Sequence, residues 1–221
     1  MTADDRQSDG VIGPSYSANC VIGITGGIAC GKSQVGTYLQ ELGWSVVDTD
    51  RIAHELMEPG QPAYEPIVKA FGPAVVAAAD GRINRRWLGE HVFSDAEKRE
   101  RLNQLVHPLV RDTWHRWAQS IRLGQVPGAV LIPLLYEVGA DKDVDEVICV
   151  VASEVTVMKR LRERGLNERQ CRERVASQWP VNEKRRRADY VIENDGTLAE
   201  LQGAVNEVAV AILRKEKERH G

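Results

Sequence analysis

Aromatic side chains make up only 5% of this 221-residue chain, and acidic and basic residues nearly balance at a net charge of −3. Scarce aromatics leave little to stack on bases, and a mildly acidic chain has no bulk attraction for phosphate backbones or anionic lipid. Neither a nucleic-acid partner nor a membrane partner is expected. Apolar runs are short, and none approaches the ~20 residues that a spanning helix needs. Cysteine is sparse: Cys20, Cys30, Cys149 and Cys171 form no C-x-x-C pair and no His/Cys cluster at zinc spacing. Reduced thiols in a cytoplasmic protein are the simple expectation. Residues 1–19 are polar and lack the basic, apolar, small-residue order of a secretory leader, so they are expected to form a disordered extension. The chain contains no N-K-x-D guanine-reading motif, no internal repeat and no low-complexity tract.

What remains is an ordinary soluble mixture, 43% hydrophobic and 28% charged, long enough for one α/β domain over residues 20–215 with a frayed tail at 216–221. Strand-like and helix-like segments alternate. Strands are expected at 21–25, 44–47, 129–132, 147–151 and 190–192, with helices between them, an order that predicts a parallel sheet covered on both faces. The stretch 51–122 reads as mostly helical, with a capping-box spacing at Ser94 and Glu97 and a kink or restart near His107, since Pro108 interrupts the helical ladder. Ser153 is an N-cap candidate, a basic helical stretch covers 155–184, and a closing helix covers 197–213.

Gly26-Gly27-Ile28-Ala29-Cys30-Gly31-Lys32-Ser33 matches G-x-x-x-x-G-K-[ST] between a buried strand and a helix. Glycines allow successive N–H groups to turn inward around one anion, and the helix adds its positive dipole end. Lys32 supplies a point charge for the β- and γ-phosphates of ATP, and the Ser33 hydroxyl can ligate Mg²⁺. Cys30, at a helix N-terminus beside Lys32, is expected to have a lowered thiol pKa, although a small residue that merely fits is the simpler reading.

Asp48 and Asp50 end the second strand, on the sheet edge that faces the ligand crevice of an open parallel sheet. One of them can receive a proton from an attacking hydroxyl or hold Mg²⁺ through water; equally, Asp50 can cap the next helix and Asp48 can simply end the strand. Spacing alone leaves both readings open. Lys159, Arg160, Arg162 and Arg164, and later Lys184 to Arg187, offer arginines for a lid over the migrating phosphoryl group, against the alternative of a solvated face laced by glutamates. These residues establish phosphate binding but not the acceptor. Another P-loop kinase of nucleosides, nucleotides or shikimate-like acids stands open at this point, as does a nucleotide-sensing or RNA-binding module.

Several segments together resemble the dephospho-coenzyme A kinase family: residues 24–33, Val47-Asp48-Thr49-Asp50-Arg51-Ile52-Ala53-His54, Asp80-Gly81-Arg82-Ile83-Asn84-Arg85, His107-Pro108-Leu109-Val110, Ile132-Pro133-Leu134-Leu135-Tyr136-Glu137, residues 160–164, and residues 187–194 ending in Glu193-Asn194. The likeness runs over residues 20–213 in unbroken order. It implies ATP-dependent phosphorylation of the ribose 3′-hydroxyl of dephospho-coenzyme A. It also implies a P-loop, nucleoside-monophosphate-kinase-like α/β fold with a five-stranded parallel sheet, an acceptor subdomain over about 52–122 and a lid over about 158–187. Carried over, Asp50 is the base and Asp48 supports metal or substrate. Thr25 is a phosphate or acceptor contact, and residues 26–34, including Gln34, form the ATP cradle. Arg160 is the lid arginine, with Arg164 a turn later, and Arg85, His107, Pro133, Leu134 and Glu137 bind or frame the acceptor. Ala29-Cys30, Gln34 and Val157 depart from the family's usual Gly-Ser, Thr and Gln. Small-molecule substrates and a monomer or weak homo-oligomer complete the expectation.

Overall fold

The computed structural model describes residues 19–93 and 95–220. The expected extension at 1–19 lies, save for Asn19, outside the described residues. Five strands, β1 (Val21–Gly26), β2 (Ser45–Asp48), β3 (Gly128–Leu131), β4 (Glu146–Val151) and β5 (Tyr190–Glu193), form one sheet in the order β2-β3-β1-β4-β5. Every pairing is parallel, with Ile24 beside Leu131, Asp48 beside Leu131 and Gly26 beside Val150. All five carboxyl ends therefore open on one edge, where ligands of such sheets bind.

Side-chain alternation divides the core into two layers. Ile22, Ile24, Ala129 and Leu131 point to one face, against α1 (Lys32–Glu41), α6 (Glu154–Glu163) and α9 (Leu198–His220). Val21, Val130 and Ile132 point to the other, against α2 (Thr49–Leu56), α3 (Tyr64–Phe71), α4 (Arg85–Phe93) and α5 (Ala96–Arg122). Two short helices, α7 (Glu168–Ala176) and α8 (Val181–Arg187), complete the basic stretch. Ser153 caps α6 by accepting the Thr156 N–H at 3.3 Å. Among the described residues no helix is long and apolar enough to cross a membrane.

Three local expectations need correction. Helix α5 runs through Pro108 without a restart. The stripe Val106, Val110, Trp114, Ala118 and Ile121 is buried along its length, so packing outweighs the hydrogen bond that Pro108 removes. Ser94 lies outside the described residues; the α5 cap is Asp95, which accepts the Lys98 N–H at 3.1 Å. The closing helix runs to His220 rather than fraying after 213. Lys215 and Arg219 both pair with Glu146, a carboxylate only 2% exposed at the start of β4. A buried charge is tolerated there only because it is paired, and that pairing orders the last turns of α9.

Candidate functional site

Two glycines give the phosphate loop its shape. Gly26 has φ 142°, and a Cβ there would lie 2.0 Å from the Val150 carbonyl oxygen. Gly31 has φ 98°, and a Cβ there would lie 2.1 Å from Asn194 Nδ2. Ala29, where the family often has glycine, is the one non-glycine among the described residues with positive φ, 57°. An alanine in the left-handed region costs about 1–2 kcal/mol, so something must hold it. The brace is visible: Arg160 Nη1 donates to the Ala29 carbonyl at 3.1 Å, and Asn194 Nδ2 donates to the Cys30 carbonyl at 2.8 Å. Arg160 Nη2 joins the two supports by donating to the Asn194 carbonyl at 3.0 Å and to its Oδ1 at 3.3 Å. Arg160 is thus found gripping the loop backbone from α6.

Lys32, the first residue of α1, curls back over its own loop and donates to the carbonyls of Gly26 at 3.2 Å and Gly27 at 2.8 Å. Burial lowers its pKa, and nearby Lys184 pushes the same way, while Cys30, Asp50 and Cys149 oppose the shift. Ser33 is exposed and shares a cavity of about 380 Å³ with Asp48. A hydroxyl and a carboxylate are hard oxygen donors, and Mg²⁺ asks for one or two such protein ligands beside phosphate oxygens and water, so the pair fits that ion.

The two acidic residues divide their work. Asp48, not Asp50, caps α2: its Oδ1 accepts the Asp50 N–H at 2.9 Å. Thr49 Oγ1 donates to the Leu131 carbonyl at 2.9 Å and fixes the same turn to β3. Asp50 is left inside the first helical turn, its side chain free to face the cleft. It lines an apolar cavity of about 400 Å³ together with His107, Trp114, Ile132, Pro133 and Leu134. Crowding by protein raises its carboxyl pKa, the Asp48 charge adds to the rise, and His54 and Lys32 pull it down. A proton acceptor with a raised pKa lining an apolar cavity is a recognisable acid–base arrangement.

Other expected site residues are placed differently. Thr25 is fully buried and its Oγ1 donates to the Pro133 carbonyl at 3.2 Å. Glu137 points to Lys184 at 2.8 Å. Arg85 begins α4 and Arg164 caps the end of α6; both are exposed and line neither the Asp50 nor the Ser33 cavity. Gln34 follows Ser33 in the first turn of α1, half-buried. Gly27, Ile28 and Cys30 instead line a third space of about 710 Å³, roofed by Val175, Trp179 and Val181 from α7 and α8 and their junction.

The lowered thiol pKa expected of Cys30 is not found. Burial raises it, and the opposing pull of Lys32 and Arg160 is the lesser effect. Iodoacetamide near neutral pH should therefore modify Cys30 more slowly than free cysteine, whose thiol titrates near pH ~8.5, with little protection from ATP. Mass spectrometry of the Cys30 peptide over time checks this, and labelling faster than free cysteine would contradict it.

Sequence reasoning gave no role to Asn194 or Lys184. Their partners are far along the chain: Asn194 bonds a carbonyl 164 residues away, and Lys184 one 51 residues away. No local spacing signals either.

The dephospho-CoA kinase family profile matches residues 20–200. The dephospho-CoA kinase of Shouchella clausii is 44% identical over 178 residues, covering 80% of this chain and 90% of that protein. Among solved structures, a Thermus thermophilus protein superposes with a TM-score of 0.76 at 34% identity, covering 88% of this chain and 97% of that one. The dephospho-CoA kinase from Campylobacter jejuni superposes with a TM-score of 0.68 at 26% identity, covering 88% and 98%.

Proposed function

This chain belongs to the dephospho-CoA kinase family, and from that premise we propose how its own residues transfer the γ-phosphoryl of ATP to the ribose 3′-hydroxyl of dephospho-coenzyme A. The observation that carries the assignment of roles is that Asp50 lines the apolar cavity while Asp48, which caps its helix, shares the other cavity with Ser33.

The loop amides and Lys32 hold the ATP phosphates. Phosphate oxygens displace the Gly26 and Gly27 carbonyls from the Lys32 ammonium, which already points into the loop. Arg160 keeps Ala29 in its left-handed conformation. Three hydrogen bonds occupy part of its five-donor guanidinium, leaving Nε–H and one Nη1–H for a phosphate oxygen. Ser33 and Asp48 would hold Mg²⁺, which neutralises charge on the β- and γ-phosphates when bound. Asp50 accepts the proton as the 3′-oxygen bonds to phosphorus. The bond from phosphorus to the β–γ bridging oxygen breaks, and ADP leaves. His107, Ile132, Pro133 and Leu134 wall the acceptor, and segments 52–122 and 158–187 serve as its subdomain and lid. The protein acts as a monomer or weak homo-oligomer on small molecules alone.

A panel of acceptors offered with Mg-ATP tests the reading. Dephospho-coenzyme A should be turned over at least ~10²-fold more efficiently than shikimate or a free nucleoside, since these leave most of the apolar cavity unfilled. Equal turnover of all three would contradict it.

A further inference from the structure

Lys184 stands in the basic run 184–187, yet it is fully buried and, among the described residues, is the largest side chain to be so. Its ammonium donates to the Pro133 carbonyl at 2.7 Å and pairs with Glu137 Oε1 at 2.8 Å. The same Glu137 oxygen accepts the Trp179 backbone N–H at 3.0 Å. The Pro133 carbonyl is also the acceptor for Thr25 Oγ1, one residue before the phosphate loop. Three segments meet at this ammonium: the end of β1, the exit from β3 that walls the acceptor cavity, and the α7–α8 junction that roofs the third space. Arg187 closes the outer side, its guanidinium 4.8 Å from the Trp179 ring centre and 5.8 Å from that of Tyr136.

An apolar side chain of similar volume would fill this space without the loss of hydration that a buried ammonium suffers, so stability alone does not account for a lysine here. What the ammonium adds is direction. It binds one carbonyl and one carboxylate at fixed angles: the carbonyl of Pro133, which lines the acceptor cavity, and the carboxylate of Glu137, four residues further along the same segment. Donor and acceptor must meet within a few tenths of an ångström, and a 1 Å error can cost about 10²-fold in rate. Lys184 also lies near enough to Lys32 for their charges to repel.

We propose that Lys184 is a positioning residue for the transfer: through Pro133 and Glu137 it sets the acceptor wall against the phosphate loop, and through Glu137 it ties the α7–α8 junction to that wall. The inference rests on the phosphoryl-transfer reading above.

Lys184→Met alone leaves Glu137, whose side chain is only 15% exposed, without its cation, and such a variant is prone to unfold. The paired variant Lys184→Met with Glu137→Gln removes both charges and keeps an amide oxygen for the Trp179 N–H. Its thermal midpoint, its Mg-ATP Kd, its kcat and KM for dephospho-coenzyme A, and the ADP released without acceptor product are compared with wild type. The expected result is a folded protein whose ATP Kd changes by less than about 3-fold, whose kcat/KM for the acceptor falls about 10²-fold, and which releases a larger share of ADP unproductively. Acceptor kinetics and coupling equal to wild type, whatever the thermal midpoint, would overturn the proposal and leave Lys184 a strut. A loss confined to ATP affinity would overturn it too. Wild type that ignores dephospho-coenzyme A would refute the functional reading instead, and the coupling comparison would then be made with the acceptor that wild type does use.

Discussion

Lys32→Ala lowers kcat by about 10²–10³-fold, roughly 3–4 kcal/mol of transition-state stabilisation, while the fold survives. The size follows from where the ammonium sits. It is pinned over the loop by two of the loop's own carbonyls, 2.8 and 3.2 Å away, so it is already aimed where phosphate oxygens arrive. A preorganised charge in a partly dry site does not have to reorganise as the reaction proceeds, and it acts most strongly when negative charge spreads over the migrating group. Truncation also leaves the Gly26 and Gly27 carbonyl dipoles facing the phosphates without a cation between. ATP affinity should weaken less than kcat, because the loop amides still bind the ground state. Steady-state kinetics with a separate ATP Kd check the split. A kcat within a few-fold of wild type would remove Lys32 from the mechanism.

Asp50→Asn lowers kcat by about 10²–10⁴-fold, the usual worth of a positioned general base, with ATP binding nearly unchanged. Two further signs separate this role from a merely structural one. Crowding by protein raises the Asp50 pKa, and the Asp48 carboxylate adds to the rise. The acid limb of kcat/KM should therefore lie above the ordinary aspartate value of about 3.9, and Asp50→Asn should abolish that limb. The second sign is stability. With a folded pKa above the unfolded one, ionising Asp50 disfavours the folded state, a penalty present in full above the folded pKa and gone below the unfolded pKa. Neutral asparagine escapes it, so at neutral pH the variant should melt no lower than wild type, and slightly higher. Loss of activity together with a lower melting point and an unchanged acid limb would assign Asp50 to structure.

The parts of this site that were legible in the sequence are those whose chemistry is local. The phosphate loop needs glycine at particular backbone angles, and Gly26 and Gly31 show why: a Cβ at either would strike Val150 or Asn194. Strand ends came within about two residues because β-branched runs meet turn residues there. The parallel five-stranded sheet followed from the alternation of segments. The illegible parts depend on partners far along the chain. Pro108 looked like a break because the partners that bury the stripe from Val106 to Ile121, such as Ile67, Val130 and Ile132, lie in other segments of the chain. The last turns of α9 looked frayed because Glu146, their anchor, lies in β4. Lys184 looked like its neighbours Arg185 and Arg186, which pair with exposed Glu193 and Glu183, until the fold buried it against Pro133. Arg160 was expected over the phosphoryl group, and it is found bracing Ala29, a departure from the family's usual glycine that the brace accommodates.

The most direct measurement is the position of the new phosphate. Purified protein is incubated with Mg-ATP and dephospho-coenzyme A, ADP is counted, and the product is examined by phosphorus NMR and mass spectrometry. One ADP per acceptor consumed, with a single new phosphomonoester on the ribose 3′-oxygen, is the result predicted here. ADP without a phosphorylated acceptor, or phosphate on any other hydroxyl, would contradict it.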